Sequence, residues 1–273
     1  MIPSGDPSLG RPTIRQRFLG WCVHCYTALG LIAAALIAVL LVDGRPESFR
    51  RAFLLMLVAT LIDATDGMLA RRVRIKEVLP GFDGRRLDDL VDFLTYTCLP
   101  LLLIWRAHLL PEGWEICLLL PLLASAYGFC QASAKTDDGY FLGFPSYWNL
   151  VAFYLYVLRP PPPWFSLGVL VVLSVLTFVP SRYLYPSQRG RLNWVTNVLG
   201  GVWALLLAWI LWDMPAEIPA DGSTRRLALG SLFFPAWYLG ASWTISVRLW
   251  RRHSAVRAIP KNNRGHSPLK PSA

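Results

Sequence analysis

Long apolar blocks without charged residues constrain this chain more than any other feature of its sequence. Most are about 20 residues long, the length of a helix that crosses ~30 Å of hydrocarbon. Only 16% of the residues are charged, compared with about a quarter in soluble domains. The 12 Trp residues suit a protein anchored at two membrane interfaces. The sequence predicts an all-α, polytopic membrane protein with about eight transmembrane helices, at residues 18–42, 52–70, 89–109, 113–134, 147–158, 164–183, 194–212 and 227–250.

The distribution of basic residues predicts how these spans are oriented. If the N-terminus is cytoplasmic and eight spans alternate across the membrane, most of the 27 Lys and Arg residues lie on the cytoplasmic side, as the positive-inside rule requires. We therefore expect a multi-pass protein of the cell (inner) membrane with both termini in the cytoplasm. The net charge of +10 then reflects topology and favours contact with anionic lipid, and no nucleic-acid partner is expected.

Three regions follow from the same pattern. Residues 1–17 form a polar, basic, cytoplasmic N-terminal segment, and the first span is too long for a signal-peptide core, so we expect no cleavage. Residues 18–250 form the transmembrane domain. Residues 251–273, rich in Pro, Asn, Ser and basic residues, are predicted to be a disordered tail.

Two carboxylates lie near the end of the second span. A carboxylate within a span costs several kcal/mol unless it has a partner, so it is a functional candidate. On a helix, Asp63, Asp66, Gly67, Ala70 and Arg71 fall in one arc of about 140°. One side of this helix is therefore acidic, then small, and finally basic.

A second acidic stripe opens the third span. Gly84, Asp88 and Asp92 are each four residues apart and share one helix face, whereas Asp89 lies off that stripe. If the two helices are antiparallel, their stripes face each other near the cytoplasmic surface. The favourable N-terminal dipole of the helix is the alternative explanation for Asp88 and Asp89.

Four converging carboxylates, from Asp63, Asp66, Asp88 and Asp92, would repel one another unless cations lie among them. Oxygen ligands suit Mg²⁺ and Mn²⁺, and two such ions are known to clamp a phosphoryl group. Arg71 can bind a phosphate through two hydrogen bonds. Carboxylates within spans also mark ion pathways, so a transporter is the rival class. Transporters more often show inverted repeats and helices broken near the midplane.

The two stripes read D-x-x-D-G-x-x-A-R and then G-x-x-x-D-x-x-x-D. This pattern resembles the signature of the CDP-alcohol phosphatidyltransferases. The stretches V-L-P (78–80), L-D-x-x-V-D-F-x-T-Y (87–96), KTDDGYFLGFPSYWN (135–149) and VHCYTALG (23–30) are similar to the bacterial phosphatidylcholine synthase branch of that family. Twelve residues separate Arg71 from Gly84, where the usual pattern has eight. The insertion amounts to about one helical turn or a longer loop.

The resemblance implies a function and a role for each motif residue. The transmembrane domain would transfer the phosphatidyl group of CDP-diacylglycerol to choline, releasing CMP, with two Mn²⁺ or Mg²⁺ ions. Serine, inositol phosphate and glycerol phosphate are alternative acceptors, and a homodimer is implied. The metal ligands would be Asp63, Asp66 and Asp88, joined by Asp92, which would also be the general base. The CDP group would contact Asp63, Asp66, Gly67, Ala70, Arg71 and Gly84.

The acceptor site is predicted from the loop at residues 135–149. Quaternary ammonium ions bind aromatic faces, sometimes beside a carboxylate, and this loop offers Asp137, Asp138, Tyr140, Phe144 and Trp148. An interfacial aromatic belt would have the same composition and needs no ligand. Three arginines in the following loop keep a phosphorylated acceptor open, and topology alone also explains them: Arg182, Arg189 and Arg191. His24, in the first span, is either a packing residue or a contact to substrate or a site carboxylate.

Overall fold

The computed structural model describes residues 12–131, 140–159, 162–184, 191–215, 218 and 222–257. Nearly all regular structure in these residues is helical. The α-helices are α1 (Ile14–Asp43), α2 (Pro46–Val73), α3 (Ile75–Val78), α4 (Gly84–Asp92), α5 (Leu99–Arg106), α6 (Leu119–Cys130), α7 (Trp148–Leu158), α8 (Pro163–Phe178), α9 (Arg191–Asp213), α10 (Ser223–Ser231) and α11 (Phe233–Arg257). A π-helical turn (Phe93–Cys98) joins α4 to α5, and a 3₁₀ turn (Glu115–Leu118) precedes α6.

The predicted all-α membrane class is confirmed. Among the described residues, α1, α2 and α9 are long and apolar enough to cross a membrane. Three apolar helices are shorter: Glu115–Cys130, Trp148–Leu158 and Pro163–Phe178. Each of the eight predicted spans overlaps at least one of the helices, and the third comprises α4, the π-helical turn and α5. The number of spans stays a prediction.

The two longest apolar helices, α1 and α2, form an antiparallel pair joined by a short turn. Thr13 caps the N-terminus of α1, and Gly44 ends the helix in the left-handed conformation with φ 69°, which glycine adopts without steric cost. Asp43 accepts hydrogen bonds from Arg45 at 2.8 Å and from the hydroxyl of Ser48. These contacts bind the start of α2 to the end of α1, so the two helices return side by side.

Small residues allow α1 to approach the segment that follows α2. A Cβ added at Gly20 would lie 2.8 Å from Leu79 Cδ1, and one added at Gly30 would collide with Val91 of α4. Small residues at membrane-helix contacts let backbones approach closely. The contact at Gly30 brings the end of α4 against α1.

The hydrophobic core lies farther along α1 and α2 and continues among α5, α7 and α9. Leu103, Ile104 and Ile210 are almost completely buried there. The outer face of α9 is apolar and exposed, with Leu205 at 74% and Trp209 at 64% of their full exposure. A continuous apolar outer surface of this kind is what lipid contact requires.

A short antiparallel ladder links two segments that the sequence analysis placed in loops and spans. Strand β1 (Tyr140–Leu142) pairs with β2 (Arg182–Leu184), with Phe141 opposite Tyr183. The amide of Arg182 donates to Ser246 Oγ of α11 at 2.7 Å. The ladder therefore fastens the chain before α7 to the chain after α8, and fixes both against α11.

Helix α11 continues to Arg257, inside the segment predicted to be a disordered tail. The residues from 251 to 257 contain no Pro or Gly, and the first helix-breaking residue is Pro260. Residues 1–11 and 258–273, which complete the two predicted terminal segments, lie outside the described residues.

We expect Gly30→Ala to lower the free energy of unfolding by about 1–3 kcal/mol, because its Cβ would overpack against the branched side chain of Val91. The matched control is Gly201→Ala in α9, where an added Cβ meets no atom of the described residues within 4 Å. That control should be neutral or stabilising by about 0.5–1 kcal/mol. Thermal unfolding of both variants in detergent measures the difference. Equal stability of the two variants would contradict the close packing of α1 on α4.

Candidate active site

The connection between the two acidic stripes contains an extra turn of helix. Helix α2 ends at Val73, and its cap residue Arg74 adopts the left-handed conformation with φ 51°. The chain then turns at once into the four-residue helix α3. Asp83 then caps α4 by accepting a hydrogen bond from the amide of Arg86 at 3.3 Å. The short helix α3 therefore accounts for part of the long gap between Arg71 and Gly84. Of the two alternatives, a helical turn or a longer loop, the structure has the helical turn.

Three carboxylates of the two stripes converge. Asp63 of α2 and Asp88 and Asp92 of α4 each offer a carboxylate oxygen, and these oxygens lie within 4.8 Å of one another. All three side chains are partly buried. An oxygen-only donor set of this kind fits a hard divalent cation, and three negative charges so close together require positive charge between them.

Asp66 is the most buried of the motif carboxylates, with 5% of its surface exposed. Its Oδ2 accepts a hydrogen bond of 2.7 Å from the hydroxyl of Thr27 on α1. Asp66 also lies within electrostatic range of Asp92. Helix α1 thus takes part in the site, a role that the sequence analysis did not give to Thr27. In the sequence, the only sign of this role is a hydroxyl side chain on the small-residue face of an apolar helix.

Asp92 has one oxygen, Oδ1, that is buried without a hydrogen-bond partner among the described residues. A buried carboxylate oxygen left this way is costly unless it binds a proton or a cation. The π-helical turn begins at the next residue, and such turns occur frequently at functional sites. Within that turn, Tyr96 donates a hydrogen bond of 2.7 Å to Asp63 Oδ2. Tyr96 is a second site residue that the sequence analysis did not assign.

The two motif glycines play different structural parts. Among the described residues, a Cβ added at Gly67 would meet only Arg71 Nη1, at an ordinary contact distance of 3.5 Å, so packing against those residues does not require glycine there. A Cβ added at Gly84 would collide with the imidazole of His24. Arg71 is exposed and Ala70 is partly buried. Gly67 therefore leaves open space beside Arg71, whereas the space at Gly84 is filled by α1.

His24 is a packing residue in this structure. Its ring is buried, with 5% exposed, and its centroid lies 4.3 Å from that of Phe82 in the loop before α4. Trp21 packs against the same two rings. The Nε2 atom of His24 is buried without a hydrogen-bond partner among the described residues. The described contacts support the packing alternative and hold the loop before α4 against α1.

Of the five residues predicted for the acceptor site, the structure describes the side chains of Phe144 and Trp148. Asp137 and Asp138 lie outside the described residues, and Tyr140 is described only as the first residue of β1. Phe144 and Trp148 are buried against each other, and the indole of Trp148 donates to Ser125 Oγ at 2.7 Å. Their described contacts are those of core residues, and a role at the acceptor site stays a prediction for them.

Two of the three arginines that kept a phosphorylated acceptor open lie in described elements. Arg182 lies in β2 and Arg191 begins α9, whereas Arg189 lies outside the described residues.

Both acidic stripes lie in the part of the chain that matches a known protein family. Residues 24–180 match the family described as CDP-alcohol phosphatidyltransferase. A phosphatidylcholine synthase from Pseudomonas aeruginosa is 35% identical over 232 residues, which cover 85% of this chain and 91% of that protein. One from Bradyrhizobium diazoefficiens is 39% identical over 224 residues, or 82% of each chain. One from Legionella pneumophila is 39% identical over 188 residues, or 68% and 71% of the two chains. The chain belongs to the CDP-alcohol phosphatidyltransferase family.

Proposed function

We propose that this protein transfers the phosphatidyl group of CDP-diacylglycerol to choline, giving phosphatidylcholine and CMP. The observation that carries the proposal is the convergence of Asp63, Asp88 and Asp92 within 4.8 Å, in a chain that belongs to this family. The similar proteins from three bacteria are phosphatidylcholine synthases, which supports choline as the acceptor.

Two Mn²⁺ or Mg²⁺ ions are proposed to bind the four motif carboxylates, Asp63, Asp66, Asp88 and Asp92. When bound, such ions neutralise the diphosphate and make CMP a better leaving group. Two neighbouring hydroxyls position the ligands: Thr27 donates to Asp66 and Tyr96 donates to Asp63, each at 2.7 Å. Hydrogen bonds of this kind fix the orientation of ligating carboxylates.

Asp92 is the proposed general base. Its Oδ1 has no hydrogen-bond partner among the described residues, so it is available to accept the proton of the choline hydroxyl. Deprotonation turns a weak nucleophile into one that attacks the phosphorus atom attached to diacylglycerol. The bond from that phosphorus to the CMP oxygen breaks as the new ester forms.

The CDP end of the donor is assigned to the last turns of α2. Asp63, Asp66, Gly67 and Ala70 line this side of the helix, and the exposed guanidinium of Arg71 is suited to bind the diphosphate through paired hydrogen bonds. The open space at Gly67 supports this assignment. A direct contact between CDP and Gly84 stays a prediction, because His24 occupies the space in front of Gly84.

The same proposal places the protein in the cell (inner) membrane with both termini in the cytoplasm. The basic residues around α3 and the start of α4, including Arg72, Lys76 and Arg85, support a cytoplasmic location for this end of the bundle. There the diacylglycerol chains remain in the bilayer while the nucleotide reaches water. The homodimer implied by the family resemblance stays a prediction.

We expect the purified protein, in detergent with Mn²⁺ and CDP-diacylglycerol, to release CMP when choline is added and to stop when the metal is chelated. Serine, inositol phosphate and glycerol phosphate, supplied separately, should give no release above the level without acceptor. If CMP release instead requires one of these three compounds, the reaction class stands and choline is not the acceptor. Absence of release with every acceptor would contradict an enzymatic function.

We expect Asp92→Asn to lower the rate of choline-dependent CMP release by about a hundredfold to ten-thousandfold, because the amide cannot take up the proton. Asp89→Asn is the matched control on the same helix. Asp89 Oδ2 lies 3.9 Å from Arg85 Nε, and 45% of the Asp89 side chain is exposed. Replacement of Asp89 should therefore change the rate little. Full activity of Asp92→Asn would remove Asp92 from the mechanism.

We expect Thr27→Val to weaken activation by Mn²⁺ by about 10–100-fold, because the isosteric side chain no longer orients the Asp66 carboxylate. Activity is measured over a Mn²⁺ titration, and saturating metal should restore much of the rate. Thr244→Val is the control, since this exposed hydroxyl donates to the Gly240 carbonyl of its own helix. An unchanged Mn²⁺ dependence in Thr27→Val would show that Thr27 does not position a metal ligand.

A further inference from the structure

Four tyrosines from four separate elements form a continuous group beside the carboxylates. Tyr96 lies in the π-helical turn, Tyr147 precedes α7, Tyr238 lies in α11 and Tyr183 lies in β2. The ring centroids of Tyr96 and Tyr147 are 6.3 Å apart, those of Tyr147 and Tyr238 are 6.4 Å apart, and those of Tyr238 and Tyr183 are 6.3 Å apart. We call these four residues the tyrosine group.

One end of the tyrosine group touches the proposed reaction centre. The hydroxyl of Tyr96 donates to Asp63 Oδ2 at 2.7 Å, and Tyr96 follows the proposed base, Asp92, by four residues. A small molecule held against these rings would therefore have its other end next to the carboxylates.

The other end of the group contains a buried polar atom that the protein does not satisfy. Tyr183 is completely buried, yet its hydroxyl has no hydrogen-bond partner among the described residues. Buried hydroxyls are nearly always hydrogen-bonded in proteins, and a residue needed only for packing would be Phe. The oxygen of the Tyr183 hydroxyl therefore has lone pairs available to face a bound cation.

The group differs from an interfacial aromatic belt. Belt residues expose their rings at the membrane surface, and rings with this exposure occur here at Trp105, Trp209 and Trp212, at 48%, 64% and 75%. By contrast, Tyr96 retains 9% and Tyr183 none of its exposure. Two rings of the tyrosine group are buried and the other two, Tyr147 and Tyr238, are partly buried, so water competes less there for a bound cation.

The backbone around the group is firmly fixed. Strand β2, which carries Tyr183, pairs with β1. The Ser246 hydroxyl of α11 accepts a hydrogen bond from the Arg182 amide at 2.7 Å and donates one to the Arg182 carbonyl at 3.0 Å. The hydroxyls of Tyr147 and Tyr238 are joined by a hydrogen bond. Rings fixed in this way lose little freedom when a ligand binds, which favours affinity.

We propose that the tyrosine group binds the quaternary ammonium of the acceptor, with the acceptor hydroxyl directed to Asp92; this inference rests on the proposed function. A quaternary ammonium donates no hydrogen bond and is attracted to ring faces within about 6 Å. The four side chains carry no positive charge that could pair with the phosphate of a phosphorylated alcohol. The group therefore selects choline over inositol phosphate and glycerol phosphate.

The first test compares variants that keep or remove an aromatic face. Tyr183→Leu and Tyr238→Leu should each raise the KM for choline by about tenfold while the KM for CDP-diacylglycerol stays unchanged. Tyr183→Phe and Tyr238→Phe keep the ring and should change the choline KM less. Tyr127→Leu is the control, because Tyr127 is a half-exposed ring on α6 that packs on Phe178, outside the group. Leucine variants with an unchanged choline KM would overturn the inference.

The second test needs only the unmodified protein and so is independent of folding defects. Tetramethylammonium, which has the charged group but no hydroxyl, should inhibit competitively against choline and not against CDP-diacylglycerol. The alcohol 3,3-dimethyl-1-butanol, in which a neutral carbon replaces the nitrogen of choline, should be a poor acceptor. Noncompetitive or absent inhibition, or equal use of the neutral isostere, would overturn the inference. Loss of choline-dependent CMP release altogether would instead overturn the proposed function, so the two failures are distinguishable.

Discussion

The mutual repulsion of carboxylates held close together inside a helical bundle is the constraint on which the rest of the structure depends. Asp63, Asp88 and Asp92 place oxygens within 4.8 Å of one another, and this arrangement is unfavourable without a cation. Helix packing must therefore hold the acids in position. The close contacts of α1 with α4 at Gly30 and at Gly84 provide that support.

Helix α1 organises the site although it carries none of its acids. Its small residues allow α4 to approach, His24 packs against the loop before α4, and Thr27 donates to Asp66. The same helix packs beside α2, so a single helix face contacts both halves of the acidic motif. This explains why a polar hydroxyl and an imidazole lie in an otherwise apolar span, where each would be costly without a structural role.

In the proposed reaction, two regions meet at the carboxylates and bind different substrates. The last turns of α2, with Gly67 and Arg71, leave open space suited to the nucleotide and its diphosphate. On the other side, the tyrosine group starts at Tyr96 and continues through residues brought together by α7, α11 and β2. An acceptor without hydrogen-bond donors on nitrogen suits rings, whereas a donor with two phosphates suits metal ions and a guanidinium.

The sequence by itself determined the membrane class and the acidic stripes, because both depend on local periodicity: apolar blocks of helical length, and carboxylates three or four residues apart. It also allowed a helical turn between Arg71 and Gly84. Only the tertiary structure decided the hydrogen bond of Thr27 to Asp66, the packing of Gly84 on His24, and the tyrosine group. Tyr96, Tyr147, Tyr183 and Tyr238 share no spacing along the chain. Their proximity arises from how distant helices and the β1–β2 ladder pack, and no local pattern in a single sequence records such contacts.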